Sequence, residues 1–219
     1  MPCNHRPAAT RGFTLIELLV AITILAIVAV LGWRGLDGIV RARVALNAEM
    51  TQTRGIQLAF AQIENDCAHL MDANLLQGRS VLRAAGSKLM LIRSVLEDNQ
   101  PLRFQVIVYS VIDGKLGRRE LMPTREIAAL DNDWQSAAGD TDVTPVIQLQ
   151  TDVTSLAMRT WTQGETGWRV DGTDIQNAAT DAAAKNPAIK SAKLAGLEVS
   201  MQVQGREAPM TKVFLLGAS

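Results

Sequence analysis

The chain has 219 residues, and its 22 Lys+Arg are balanced by 22 Asp+Glu, which allows one sizeable domain or two small ones and argues against a nucleic-acid surface, since that needs a basic patch. Aromatic content of 4% leaves few side chains for stacking bases or sugars. With only Cys3, Cys67, His5 and His69, there is no Ser/His/Asp set, no Cys/His ligand spacing and no disulfide framework, so no catalytic residue, cofactor or metal site is expected.

Met1 to Gly12 is a short polar leader carrying Arg6 and Arg11, and an apolar run follows from Phe13 to Trp33 with a single charge, Glu17. As a helix the run spans about 31 Å, enough for a bilayer core. A cleaved secretory signal has an apolar core of about 7–15 residues and a small-x-small cleavage site. This run is longer and ends in Leu31-Gly32-Trp33-Arg34, so a retained anchor is the better reading. Arg34, Arg41 and Arg43 follow the span, so the Lys/Arg count does not favour a cytoplasmic N-terminus. That orientation is preferred because everything foldable follows the span. A carboxylate at the centre of a membrane segment costs roughly 2.5–3.5 kcal/mol, less near an end, so Glu17 is expected to have a partner.

The string Gly12-Phe13-Thr14-Leu15-Ile16-Glu17, followed by Leu18-Leu19-Val20-Ala21, closely resembles the type IV prepilin signal. The resemblance implies cleavage between Gly12 and Phe13 by a prepilin peptidase on the cytoplasmic side, then N-methylation of Phe13. Glycine lets an extended backbone enter a membrane-embedded active site unhindered. The new Phe13 amine stays cationic after one methylation, one helical turn from Glu17. An amine–carboxylate pair, within a subunit or between neighbours, would offset the burial of Glu17 and set a register for stacked helices.

Beyond Arg34, polar residues such as Asp37, Arg41, Glu49, Glu64 and Asp66 are spread among apolar ones. Ile56, Phe60, Ile63, Cys67 and Leu70 follow alternating steps of four and three and mark one apolar helix face. Either it is a filament-packing face or it is the spine on which a β-domain packs; strand-like sequence downstream favours the spine. One long helix from Phe13 to about Leu70 is predicted. The cluster Gly32, Gly35 and Gly38, with Gly55 further on, weakens the first part of the helix; the cluster reads as a bend, a melted segment or a close helix–helix contact. Cys67 reads as a small buried apolar residue and His69 as a partly exposed structural histidine.

After Leu70 the period shifts towards two. Strands are predicted at 87–93 and 102–112, with Leu102, Phe104, Val106 and Val108 on one face and Arg103, Gln105, Ile107 and Tyr109 on the other. Asp113-Gly114 signals a hairpin, 115–122 returns antiparallel and Pro123 ends it. Residues 123–145 read as a long loop with a short helical piece near 125–130. Asp131, Asp133, Asp140 and Asp142 there lack the order of an EF-hand and read as solvated acids. Further strands are predicted at 146–149, 153–162, 168–170, 197–203 and 210–216, with Trp161 and Trp168 packing on the sheet. Residues 171–193 read as an Ala-rich surface loop, with a frayed helix at 177–185.

Leu58 to Leu70 with Ile63-Glu64-Asn65-Asp66, the hairpin from Val153-Thr154-Ser155-Leu156-Ala157-Met158-Arg159 through Trp168, and the closing Leu197-Glu198-Val199-Ser200-Met201 and Val213-Phe214-Leu215-Leu216 are similar to the J-type minor pseudopilins of type II secretion systems. That resemblance implies an α+β pilin-like fold: a long N-terminal helix, transmembrane half then amphipathic half, packed against antiparallel β-sheet. The implied parts are a removed leader at 1–12, a transmembrane or filament-core helix at 13–33, an amphipathic helix at 34–70 and a periplasmic β-rich domain at 71–219. The implied role is a non-enzymatic tip subunit of the secretion pseudopilus, held in the bacterial inner membrane with its N-terminus cytoplasmic. Its implied partners are I-, K- and H-type minor pseudopilins, the major pseudopilin, the prepilin peptidase and the inner-membrane assembly platform; nucleic acid is not among them. The alternatives are a minor pilin of a type IV pilus or DNA-uptake system, and a single-pass anchored periplasmic binding or sensor domain.

Overall fold

The computed structural model describes residues 12–164, 166–170 and 194–217; the frayed helix expected at 177–185 lies outside the described residues. In order, the elements are α1 (Leu15–Ala68), β1 (Leu82–Ala85), β2 (Lys88–Val95), β3 (Arg103–Ile112), β4 (Lys115–Glu120), α2 (Ile127–Ala138), β5 (Ile147–Gln150), β6 (Val153–Thr162), β7 (Arg169–Val170), β8 (Leu194–Val203) and β9 (Met210–Leu215). The chain divides into two compact units, Met1–Thr51 and Gln52–Ser219, and α1 contributes residues to both. A long N-terminal helix with antiparallel sheets is the α+β arrangement of the pilin-like fold.

In the first unit α1 stays helical through Gly32, Gly35 and Gly38, and a Cβ on any of these would meet nothing within 4 Å. The large apolar residues from Phe13 to Met50 are all exposed within the chain, Trp33 at 74%. An 18-residue window of the helix reaches a mean hydropathy of 2.8, and by length and composition the helix can cross a membrane.

The second unit contains two antiparallel sheets, in the orders β1-β2-β3-β4-β5 and β7-β6-β8-β9. Strand pairing depends on partners distant in sequence, so alternation along each strand could not partition them. The β3–β4 hairpin turns at Asp113 and Gly114, with φ of 50° and 71°, and pairs Ile112 with Lys115. Positive φ at both central residues defines a type I′ turn, whose twist matches that of the flanking strands.

β3 is covered on both faces, and its alternation sorts its side chains as predicted. Ile107 and Tyr109 join Ile56, Ala59, Phe60, Ile63 and Cys67 of α1 and Leu197, Val199 and Met201 of β8 in one cluster. Val106 and Val108 join Leu76, Leu121, Leu130 and Ala137 in a second. The apolar face of α1 beyond residue 55 is therefore the spine of the β-body. Gly55 makes a close approach possible there: a Cβ on it would fall 1.9 Å from Gln150 Oε1 and 3.3 Å from the Leu149 carbonyl oxygen.

Two elements differ from expectation. α2 runs 12 residues, from Ile127 to Ala138, where a short piece near 125–130 was expected. Leu130 and Ala137 are buried and Ile127, Trp134 and Ala138 pack against their cluster, so a face at three- and four-residue steps was present between the aspartates. β1 was not anticipated; Leu82-Arg83-Ala84-Ala85 lacks the β-branched and aromatic residues that mark strands, and pairing with β2 builds it.

Candidate functional site

Gly12 and Phe13 precede the first helical residue, and Phe13 is 86% exposed. Thr14 caps the helix. Its backbone N–H donates to Glu17 Oε2 at 3.0 Å, its hydroxyl donates to the same oxygen at 2.9 Å, and the Glu17 N–H donates to Thr14 Oγ1 at 3.3 Å. This is the reciprocal capping box of a Thr-x-x-Glu sequence, which satisfies two of the donors left open at a helix start. The Thr14 carbonyl accepts from the Leu18 N–H at 3.3 Å, so the first turn closes directly behind the cap.

The structure thus brings Glu17 and Thr14 together at the helix start, one turn from Phe13. Sequence reasoning sought an amine as the partner of Glu17 and passed over Thr14. The signal that reveals it is a threonine three residues before a glutamate, ahead of an apolar run. The carboxylate also lies at the positive end of the helix dipole. All the capping bonds to the carboxylate fall on Oε2. Deeper in the span, the Thr23 hydroxyl donates to the Val20 carbonyl at 2.8 Å, which satisfies the hydroxyl without water, as a lipid environment requires.

The four loop aspartates do not form one site, and three of them are not free solvated acids as expected. Asp131 takes a two-pronged contact from Arg79, at 2.8 and 3.0 Å. The bonds from Arg79 hold its carboxyl below the usual range. Asp140 lies 2.7 Å from Lys88 Nζ and 2.8 Å from Arg119 Nη2, and the Lys88 contact first, then Arg119, lowers its pKa. Asp142 takes Arg119 Nη1 at 2.7 Å. Asp133 lies apart from these pairs, and burial pushes its carboxyl up. Among the described residues, no three His, Cys, Asp or Glu side chains converge as a metal-holding group. Asp131, Asp140 and Asp142 pin α2 and the loop after it to the body.

Cys67 is wholly buried, and burial first, then the nearby Asp66 and Glu64 charges, pushes its thiol up to about 12. His69 is exposed, with Nδ1 2.8 Å from the Asn65 carbonyl oxygen. Trp161 and Trp168 meet edge to face at 5.6 Å over Gly196, where a Cβ would lie 3.4 Å from Trp161 Cβ and 3.5 Å from Trp168 Cη2. The pair packs on the sheet as expected.

An apolar N-terminal helix able to cross a membrane, a capped entry to it and a pilin-like body describe a single-pass membrane-anchored protein. Residues 8–33 match the prokaryotic N-terminal methylation motif. The match covers Gly12, Phe13 and Glu17 and supports the type IV prepilin-like superfamily, whose proteins are typically structural. A search of curated proteins finds no match to the chain.

Proposed function

We propose that this chain is a minor pseudopilin, a tip subunit of the type II secretion pseudopilus. The observation that carries the reading is the Gly12-Phe13-Thr14-Leu15-Ile16-Glu17 string at the mouth of a helix whose large apolar residues up to Met50 have no cover in the chain. That surface needs lipid before assembly and neighbouring helices after it, because exposed apolar area of this extent is unfavourable in water.

On this reading the prepilin peptidase cuts between Gly12 and Phe13 and methylates Phe13. The N-terminus starts cytoplasmic and the body periplasmic. Thr14 then holds Glu17 Oε2 while Oε1 accepts a bond from the Phe13 amine of a neighbouring subunit. The capping box thus preorganises the carboxylate and leaves one oxygen for assembly. The I-, K- and H-type minor pseudopilins, the major pseudopilin and the assembly platform are the partners. The similarity of the 58–70, 153–168 and closing-strand stretches to J-type sequences favours secretion over a type IV pilus.

The test is complementation. Gly12→Val blocks processing and abolishes secretion, and the processed parent co-purifies with I- and K-type subunits. An unprocessed Gly12→Val chain that still supports secretion overturns the reading. Co-purification with type IV pilus subunits instead reassigns the filament.

A further inference from the structure

The α1 face that packs on the sheets has a translational ambiguity. Ile56, Ala59, Phe60, Ile63 and Cys67 recur at steps of three and four, so a slide of one turn brings another apolar residue opposite most positions. Burial of apolar surface is non-directional and discriminates weakly between such registers.

Asp66 breaks that ambiguity. It lies on the same helix, is wholly buried, and takes bonds from three successive strands. Oδ1 accepts from Arg93 Nη1 of β2 at 2.8 Å and from Arg118 Nη2 of β4 at 2.9 Å. Oδ2 accepts from Arg118 Nε at 2.8 Å and from the Tyr109 hydroxyl of β3. Around this centre Glu120 takes Arg118 Nη1. Gln105 Oε1 accepts from Arg93 Nε and Nη2 at 3.0 and 2.9 Å, while Gln105 Nε2 donates to the Leu121 carbonyl at 2.8 Å. The two arginines balance Asp66 and Glu120 in charge. The buried polar atoms without a partner among the described residues belong to Arg103, Arg119 and Asp142, none of them in this cluster.

We propose that the Asp66–Arg93–Arg118–Tyr109 cluster is a register pin, which selects one axial position of α1 against β2, β3 and β4 and adds little net stability. A one-turn slide moves the carboxylate about 5.4 Å along the axis, out of reach of both guanidinium groups, and strands buried charge. A buried ion pair is weak in net stability compared with apolar packing, but breaking one is costly, and fixing register is its best-attested use.

The test uses the full chain in detergent micelles. Lys212 Nζ of β9 lies 2.9 Å from Glu64 Oε2 of α1, so a zero-length carbodiimide links them in the native register. One turn away Lys212 would face Phe60, Ala61, Cys67 or Ala68, none of which can form the amide. A variant with the whole cluster uncharged, Asp66→Leu with Arg93→Met, Arg118→Met, Glu120→Gln and Tyr109→Phe, keeps or raises the parent's thermal midpoint by circular dichroism. Its Lys212–Glu64 cross-link, quantified by peptide mass spectrometry against a Lys212→Ala control, falls several-fold. An unchanged cross-link yield overturns the proposal, because register then holds without the cluster. Failure of the variant to fold also overturns it, because the cluster is then a stability element.

Discussion

Replacing Asp66 by alanine removes one carboxylate and leaves its charged partners where they are. Arg118 has a side chain 3% exposed and Arg93 one 19% exposed. After the change Arg118 keeps Glu120 and Arg93 keeps Gln105, but the pair carries an uncompensated positive charge and the Tyr109 hydroxyl loses its acceptor. Breaking a buried pair from one side costs roughly 3–5 kcal/mol. Partial exposure of Arg93 and the surviving Glu120 contact place this site at the lower end, about 3 kcal/mol. For a folded unit of about 150–250 residues, each kcal/mol moves the midpoint by about 2–4 °C, so Asp66→Ala lowers it by about 6–12 °C. The assay is thermal unfolding followed by circular dichroism, with the helix signal and a tryptophan signal recorded in parallel. Burial first, then the Asp66 charge, pushes the Tyr109 hydroxyl up, so it stays protonated throughout the neutral range and its ionisation does not confound the scan. A loss below about 1 kcal/mol, the scale of an exposed pair, would show that Asp66 is not a buried charge held by both arginines.

Further outcomes concern the helix start, the thiol and the acid limb. Glu17→Ala removes the carboxylate half of the capping box and leaves the residue 17 N–H on Thr14 Oγ1, at a local cost below the roughly 1 kcal/mol typical of losing a whole N-cap and confined to the first turn. Insertion and leader removal continue while incorporation into filaments is lost, as read by processing blots and filament pull-down. In the folded mature chain Cys67, with its thiol pushed up to about 12, resists maleimide at neutral pH and reacts once denaturant is added. Retention of the leader instead leaves Cys3 as a second site, so the label count reports processing. The Asp140 carboxyl is held below its ordinary range by Lys88 and Arg119, so its contribution is present above the unfolded carboxylate value of about 3.9 and is lost as pH falls through the folded one. Asp140→Asn is therefore less stable at neutral pH and loses less on acidification, which acid titration of the unfolding midpoint checks.

The helix and most strands were legible because their signals are local. The four- and three-residue steps from Ile56 to Cys67 mark a helix face, and Asp113-Gly114 marks a turn, without reference to the rest of the chain. Asp66 was not legible as a buried residue. Its partners Arg93 and Arg118 lie 27 and 52 positions away, and nothing in its neighbours Asn65 and Cys67 announces them. The length of α2 was obscured by Asp131, Asn132 and Asp133, which lower helix propensity while leaving the apolar face intact. At the candidate site, Gly12, Phe13 and Glu17 stand out because a lone charge in an apolar run demands explanation. Thr14 escaped notice because a threonine beside leucine and isoleucine raises no such demand.

Mass spectrometry of the chain purified from its membranes reads the proposed chemistry at Gly12 and Phe13 without any intermediary. The expected N-terminal peptide begins at Phe13 and carries one methyl group on its amine. A chain that begins at Met1, is cut elsewhere, or begins at Phe13 without the methyl group contradicts it.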